Sequence, residues 1–459
     1  MKKILVLGAG LVAGAHVRYL MDQPGFHVTV ASRTLSKAQD IIRDHPKGDA
    51  RQLDVADEAA LEGLIHQADL AVSLLPYAYH PLVARLCVKH RKHMVTTSYV
   101  KEPMAQLDGA AREAGVILLN EIGVDPGIDH MTAMKVIHRV QKGGGEITSF
   151  TSWCGGLPAP EANTNPFGYK FSWSPKGVLL AGKNSALYLK DGQEVLVPGE
   201  ELFDHYWTVP VELEGQMVDF EGYPNRDSLP YMETYGITTT KGMFRGTLRN
   251  VGWCLTLRKI VDLGLLDEEV RDDIAGLTFA QFMAKLIGST GDLKKDLAAY
   301  LEVERDSLVI SNLEWLGLLS DDPLPLQKGA PVDILTARML EKMQYEEGER
   351  DMLILQHEFL AEYPDPSTGR RGELVEPSGQ RRKEKITSTM IDFGIPNGDT
   401  SMSRTVGLPA AIGVRLILQG KINLTGVHTP VVPEIYEPVL EELEQLGIHF
   451  TEKWETLEK

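Results

Sequence analysis

Apolar and polar positions alternate in short blocks through the first 120 residues. Ile4-Leu5-Val6-Leu7 is an unbroken apolar run, and strand-like segments recur at His27 to Ala31, Arg51 to Val55, Asp69 to Leu75, Met94 to Ser98 and Val116 to Leu119. Between them lie helix-patterned stretches at His16 to Met21, Glu58 to Gln67, His80 to Lys89 and Pro103 to Ala114. Strands that alternate with helices predict an α/β fold built on a parallel, doubly wound sheet. Runs such as Leu70-Ala71-Val72-Ser73-Leu74-Leu75 suit strands covered on both faces.

From Glu146 the pattern changes. Alternating segments at Ile147 to Trp153 and Ile237 to Thr240 predict strands of a mixed sheet, with long Gly/Pro/Asn-rich loops at Gly155 to Pro166 and Tyr223 to Pro230. Loops of that length tend to carry function. Val261 to Gln344 reads as mostly helical: Leu335, Met339 and Met343 keep helical spacing, and Asp267 to Asp273 and Gly291 to Glu304 are charged helix candidates. Met352 to Phe359 and Ile386 to Asp392 read as a hairpin around a basic excursion, Ser367 to Lys383, taken as a solvated loop. A strand–helix texture then resumes through Pro409 to Leu418 and Pro433 to Leu446 without a new glycine motif. The expected organisation is a doubly wound Rossmann domain over 1–128, completed by 393–459. A mixed α+β domain for substrate binding and dimerisation spans 129–260 and 345–392, with a helical subdomain at 261–344.

The first strand runs into Gly8-Ala9-Gly10-Leu11-Val12-Ala13, a G-x-G-x-x-A turn that opens a helix. Gly8 serves the tight turn, Gly10 admits a pyrophosphate and Ala13 allows close helix packing, so a dinucleotide site is expected. The phosphates of such a site rest on the helix N-terminus. A secretory leader would also begin with Lys2-Lys3 and an apolar stretch, but the glycine spacing and the immediate second strand favour the nucleotide loop. That second strand ends in Ser32-Arg33-Thr34, with no carboxylate for a ribose 2′-hydroxyl. A guanidinium between two hydroxyls suits a 2′-phosphate, which selects NADP over NAD. Ligands of doubly wound sheets bind beyond the strand C-termini. This marks the loops Asp54-Val55, Leu75-Pro76-Tyr77, Thr97-Ser98-Tyr99 and Gly123-Val124-Asp125-Pro126-Gly127. Asp125 before Pro126 also has the makings of a helix N-cap.

Composition narrows the field. The 459 residues carry a net charge of −17, which argues against nucleic acid or an anionic membrane as partner. No uninterrupted apolar run is long enough for a transmembrane helix. Three scattered cysteines, Cys87, Cys154 and Cys254, form neither a disulfide framework nor a zinc motif, so no metal is expected and the cytoplasm is the expected compartment.

Several segments together resemble the glutamate-forming saccharopine dehydrogenases, or saccharopine reductases, of lysine metabolism. They are Ser73 to Tyr77, Thr97-Ser98-Tyr99, Asn120 to His130, Cys154 to Glu161, Gly168 to Ser174, Tyr223 to Ser228 and Arg245 to Arg249. The resemblance implies NADP-dependent interconversion of saccharopine and water with 2-aminoadipate 6-semialdehyde and L-glutamate, and a homodimer. It implies that Gly10, Leu11, Val12, Ser32, Arg33, Thr34, Asp54, Val55, Leu75, Thr97, Val124 and Ser174 line the cofactor, together with Gly8, Ala13, Ser98, Asp125 and Pro126. Ser98, Tyr99, Asp125, Arg226, Thr247, Leu248 and Arg249 are the implied substrate residues. Arg226 and Arg249 are the carboxylate clamps, and Tyr99 and Asp125 the candidate acid–base groups; a water shuttle is the alternative. A carboxynorspermidine-type polyamine dehydrogenase, with fewer substrate carboxylates, and a non-enzymatic relative are the other readings. The basic excursion carries no role.

Overall fold

The computed structural model describes residues 1–364 and 382–457. The chain divides into two compact units, Met1–Ile147 with Ala361–Glu384 and Ser388–Lys459, and Thr148–Leu360 with Lys385–Thr387.

The first unit holds β1 (Lys2–Leu7), β2 (Phe26–Ser32), β3 (Gly48–Gln52), β4 (Leu70–Ser73), β5 (His93–Thr96) and β6 (Ile117–Leu119). Its helices are α1 (Ala13–Asp22), α2 (Leu35–Ile42), α3 (Glu58–Gln67), α4 (His80–Lys89), α5 (Glu102–Ala105), α6 (Asp108–Ala114) and α7 (Ile128–Lys142). The expected helix from Pro103 to Ala114 is thus two short ones. The third strand ends at Gln52 rather than at Val55, because Leu53 turns inward and Asp54 opens the loop to α3.

The second unit holds β7 (Glu146–Pro158), β8 (Ala186–Lys190), β9 (Gln193–Val197), β10 (Trp207–Leu213), β11 (Gln216–Pro224), β12 (Gly242–Arg249) and the first part of β13 (Asp351–Tyr363). Its helices are α8 (Pro175–Ala181), α9 (Pro230–Thr234), α10 (Trp253–Asp262), α11 (Phe279–Ile287), α12 (Leu293–Tyr300), α13 (Leu308–Leu316) and α14 (Pro331–Lys342). Chain order then returns through β14 (Arg382–Phe393), α15 (Ser401–Leu418), β15 (Gly426–His428), α16 (Pro433–Gln445) and β16 (Phe450–Leu457) to the first unit, apart from residues 385–387 of β14.

The sheet of the first unit has the order β15-β6-β5-β4-β1-β2-β3. Its neighbouring strands, from β1·β2 to β15·β6, pair in parallel, so the switch in winding direction falls between β1 and β4. That switch places a ligand crevice at the C-terminal ends of β1 and β4. Helix α15 packs along α1, where a side chain at Gly407 would meet the His16 nitrogen at 3.0 Å and the Val12 oxygen at 3.1 Å. His16, fully buried, gives one ring nitrogen to the Gly407 carbonyl at 3.0 Å.

In the second unit the sheet order is β10-β11-β12-β7-β13, with β8 pairing β12 and β9. Strand β12 runs antiparallel to β11 and parallel to β7. Residues opposite one another share a face, so Glu221, Tyr223, Thr247, Arg249 and Cys154 lie on one side. Trp153, Gly246 and Leu248 lie on the other, where Trp153, Trp207, Tyr188 and Phe244 form an aromatic cluster.

Several expectations are corrected. Helix α7 stays with the first unit, because it packs on α16 and His138 bonds the Tyr436 hydroxyl at 2.8 Å. The helices between 261 and 344 lie within the second unit. There α14 packs on α8, and Asn312 of α13 bonds Thr256 of α10 at 2.8 Å. Ile237 to Thr240 is a turn, and the strand begins at Gly242. Asp267 to Asp273 is not helical, and only Arg271 within it is withdrawn from full exposure, so a helix there would have no face to bury. Most of the basic excursion, 365–381, lies outside the described residues.

Candidate functional site

The glycine turn between β1 and α1 is built as a phosphate loop needs. Gly8 has φ +111°, and a Cβ there would lie 2.9 Å from the Leu74 carbonyl oxygen, so only glycine fits. At Gly10 the same test meets nothing within 4 Å, so the backbone faces open space. Helix α1 has no cap from its own N-cap side chain and no acidic residue in its first turn, which leaves the positive end of its dipole to an anion, while the Ala13 N–H donates to the Gly10 carbonyl at 3.1 Å and the Ala15 N–H to the Ser403 hydroxyl at 3.3 Å. Ala13 is fully buried against the sheet, whereas Leu11 stands 66 % exposed on the lip of the loop.

Ser32 closes β2, and its hydroxyl accepts the Thr34 N–H at 3.3 Å. Arg33 is exposed, and among the described residues its guanidinium has no carboxylate partner, while its carbonyl accepts from Gln52 at 3.2 Å. Asp54 holds the Ala56 N–H at 3.0 Å. Val55 and Val124 are 7 % and 6 % exposed and Pro126 is buried, so these three offer backbone rather than side chain to a ligand. Leu75, Thr97 and Ser98 are half-buried beyond β4 and β5. Ser174 belongs to the second unit, where its hydroxyl caps α8 by accepting the Gly177 N–H at 3.3 Å.

Tyr99 and Asp125 come together: the phenol donates to the carboxylate at 3.1 Å. Asp125 is not a helix cap. Gly127 occupies that position, and Asp129 accepts the N–H groups of Gly127 and His130 in its place. The two loops are tied beneath this pair by Glu121. Its carboxylate accepts the Val100 N–H at 2.8 Å and contacts the fully buried His130 ring at 2.8 Å, while its own N–H donates to the Ser98 carbonyl at 3.1 Å. His80, the first residue of α4, bridges Ser73 and Ser98 through its two ring nitrogens, each at 2.8 Å. Burial pushes its pKa down to about 4, so the imidazole is neutral at physiological pH.

In the second unit, Arg249 ends β12 and is only 6 % exposed. Among the described residues it has no carboxylate partner. Its guanidinium donates to the Leu248 carbonyl at 2.7 Å, lies 4.9 Å from the Tyr169 ring centre and 5.4 Å from that of Trp253, and its Nε has no acceptor. Desolvation opposes the charge, but the Tyr223 and Tyr169 phenols favour it and the pKa is raised, so the group stays cationic. The nearest register partner is Glu221, yet that carboxylate is committed elsewhere. It accepts the N–H groups of Gly252 and Cys254 at 2.8 and 2.7 Å, at the start of α10. Arg226 is exposed at φ +57°, its carbonyl pairing with the Leu187 N–H at 2.9 Å. Thr247 shares the Arg249 face. Leu248 does not: it is fully buried on the opposite face, so only its backbone is available to a ligand.

Sequence reasoning missed His80, Glu121 and His130, although His80 carries a signal, since it is a polar residue opening a helix just past a crevice strand.

Two family models account for nearly the whole chain: the saccharopine dehydrogenase NADP binding domain over residues 4–119 and the saccharopine dehydrogenase C-terminal domain over 123–448. The chain is 42 % identical to saccharopine dehydrogenase [NADP(+), L-glutamate-forming] of Schizosaccharomyces pombe, covering 99 % of each. It is 38 % identical to the protein of that name from Saccharomyces cerevisiae, over 98 % of this chain and 99 % of that one. The apo structure of the Saccharomyces cerevisiae enzyme superimposes with a TM-score of 0.87 at 37 % identity, over 99 % of this chain and all of that one. With this fold, this nucleotide loop and both family models matched in order along one chain, the protein belongs to the saccharopine dehydrogenase family.

Proposed function

We propose that the chain is an NADP-dependent, L-glutamate-forming saccharopine dehydrogenase. It interconverts saccharopine and water with 2-aminoadipate 6-semialdehyde and glutamate, and is thus an oxidoreductase acting on a CH–NH donor. The observation that carries the substrate assignment is Arg249, a buried cation with no carboxylate ion pair among the described residues. Such a group is costly to keep unless a ligand anion completes it. Saccharopine brings three carboxylates.

The nucleotide loop fits NADP: Gly8 to Ala13 and the start of α1 would hold the pyrophosphate, and Ser32, Arg33 and Thr34 the 2′-phosphate. When bound, NADP supplies the hydride acceptor or donor. The protein's part is to align the substrate and move protons. Arg249 and Arg226 clamp carboxylates by planar, bidentate pairing, with Thr247 beside Arg249 on its face. Once the substrate amine is an imine, a water must lose a proton as it adds, and the departing glutamate nitrogen must gain one. Tyr99 and Asp125, hydrogen-bonded as a pair, are the groups assigned to that transfer.

The first unit is assigned to the nucleotide and the second to substrate binding and dimerisation. A homodimer and a cytoplasmic location belong to the same reading. Among the described residues no helix is long and apolar enough to cross a membrane. A polyamine substrate of the carboxynorspermidine type has too few carboxylates to use Arg226 and Arg249 together. The test is NADP+ reduction by purified protein, with saccharopine and carboxynorspermidine offered separately. Turnover of saccharopine alone is expected, and turnover of carboxynorspermidine alone overturns the assignment. Light scattering on the eluting protein tests the dimer.

A further inference from the structure

His80 sits where the chain leaves β4, after a short turn of Tyr77–Tyr79, and is 4 % exposed. Its ring reaches the ends of two neighbouring strands: Ser73 at the end of β4, Ser98 just past β5 at 2.8 Å, and the Thr96 hydroxyl at 3.5 Å. Ser73 and Thr96 are 0 % and 1 % exposed, whereas Ser98 is half-buried. A neutral imidazole has one donor and one acceptor nitrogen, so the chain of hydroxyls has a direction, and two directions exist.

Satisfaction of the buried end chooses between them. If Nδ1 carried the proton and donated to Ser73, the Ser73 O–H would need an acceptor of its own. Among the described residues its hydroxyl has no partner other than His80. A buried, unsatisfied donor costs the full desolvation of that group. The other direction keeps both 2.8 Å contacts, with Ser73 O–H donating to Nδ1 and Nε2–H donating to the Ser98 oxygen. It leaves only the Thr96 O–H without an acceptor among the described residues, whereas the first direction could satisfy Thr96 at 3.5 Å only by giving up Ser98 at 2.8 Å. The Ser98 O–H is then committed as a donor pointing away from His80.

We propose that His80, held as the Nε2–H tautomer by Ser73, is a positioning residue that makes Ser98 a fixed hydrogen-bond donor to an acceptor oxygen of the bound ligand. It rests on the reading that Ser98 belongs to the ligand site. That oxygen belongs either to a substrate carboxylate or to the carboxamide of the nicotinamide. A serine without such a backing is free to turn its proton either way. Here the rotor is set before the ligand arrives, which is preorganisation of a donor at the crevice. The Glu121 N–H on the Ser98 carbonyl fixes the backbone of the same residue from the other side.

The test combines one spectroscopic and one kinetic arm on the full-length protein. Long-range nitrogen–proton correlation spectra of histidine-labelled protein near neutral pH, with His80 assigned by its loss in His80→Gln, read the tautomer directly. Protonation at Nε2 is expected, and protonation at Nδ1 overturns the proposal. In the kinetic arm, Ser98→Ala and His80→Leu each weaken the same step by roughly tenfold, the scale of one hydrogen bond to a charged or strongly polar oxygen. A rise in KM for saccharopine identifies a substrate carboxylate, and a rise in the Kd for NADP+ identifies the carboxamide. His80→Gln keeps an N–H near the Nε2 position and is expected to stay within about threefold of wild type. In the Ser98→Ala background, His80→Leu is expected to add nothing. A purely structural histidine would lower Tm and affect kinetics to the same degree with or without Ser98, and that result sinks the proposal. Should the wild-type protein turn over no saccharopine, the functional reading fails by itself; the tautomer and the NADP+ titration then decide the relay.

Discussion

Replacing Arg249 by Met separates a binding group from a structural one with unusual clarity. The guanidinium is 6 % exposed and lacks a carboxylate partner among the described residues. In the ligand-free protein its charge is therefore a cost of several kcal/mol in desolvation, offset in part by stacking on Tyr169 and Trp253 at about 0.5–2 kcal/mol per ring. Methionine keeps the apolar stem and recovers some of the ring contact through sulfur, roughly 0.3–1.5 kcal/mol. The ligand-free Arg249→Met protein should be as stable as wild type or more so, with Tm unchanged or higher by about 2–4 °C per kcal/mol gained. Binding moves the opposite way. Loss of a charge-assisted clamp costs about 1.5–3 kcal/mol, a 10- to 150-fold rise in KM for saccharopine. The NADP+ dissociation constant should hardly change. Differential scanning fluorimetry without ligands and steady-state kinetics with saccharopine varied are the two assays. If Tm drops by several degrees while KM stays put, Arg249 is a packing residue and the substrate assignment built on it is wrong.

Arg33→Asp should weaken NADP+ by roughly ten- to a hundredfold and leave NAD+ nearly unaffected, because only the 2′-phosphate is lost as a partner; an unchanged ratio in cofactor titrations makes Arg33 a surface residue. Tyr99→Phe and Asp125→Asn keep shape and remove proton transfer, so kcat should fall by about 10²–10⁴ with an altered pH profile, whereas normal kcat in both leaves water as the proton carrier. His16 has its pKa lowered from 6.5 to about 4 by burial, so its contribution to stability is complete above pH 6.5 and drains away as pH falls toward 4. The loss amounts to about 3 kcal/mol. A His16→Gln variant should show a flatter decline of unfolding free energy over that window, and a parallel decline would place the acid sensitivity elsewhere.

The doubly wound half was legible because its strands are covered on both faces and write themselves as apolar runs. Ile4 to Leu7 and Leu70 to Val72 are fully buried or within 1 % of it. The failures have physical causes. Asp267 to Val270 has the charge of an amphipathic helix, but all four residues are exposed, and charge without a buried stripe does not make one. Ile237 to Thr240 has strand-like branching, yet the Thr240 N–H turns back to the Ile237 carbonyl at 3.0 Å. The loops that carry Tyr99 and Asp125 were marked by position, since both sit past crevice strands, and the proposed acid–base role of the two came from the family resemblance. Their support did not, because His80 meets Ser98 and Glu121 meets Val100 only through strand order. Whether an arginine has a carboxylate neighbour is equally invisible along the chain: Glu221 stands opposite Arg249 and still gives its oxygens to a helix.

The packing of α15 on α1 bears on how the protein is made. The nucleotide loop leaves the ribosome well before α15, and the helix that carries it finds its partner about 390 residues later, at Ser403 and Gly407. Contacts that close so large a stretch of chain form late, since the loop entropy must be met before they contribute. Until then His16 and the inner surface of α1 stand open, and β6 lacks β15 at its edge, a species exposed to aggregation. Cofactor affinity thus becomes a readout of whether α15 and β15 have been made. A nascent chain stopped before residue 400 would contain every glycine of the fingerprint and still fail to hold the nucleotide, and a chaperone that shields α1 would act on the ribosome rather than after release.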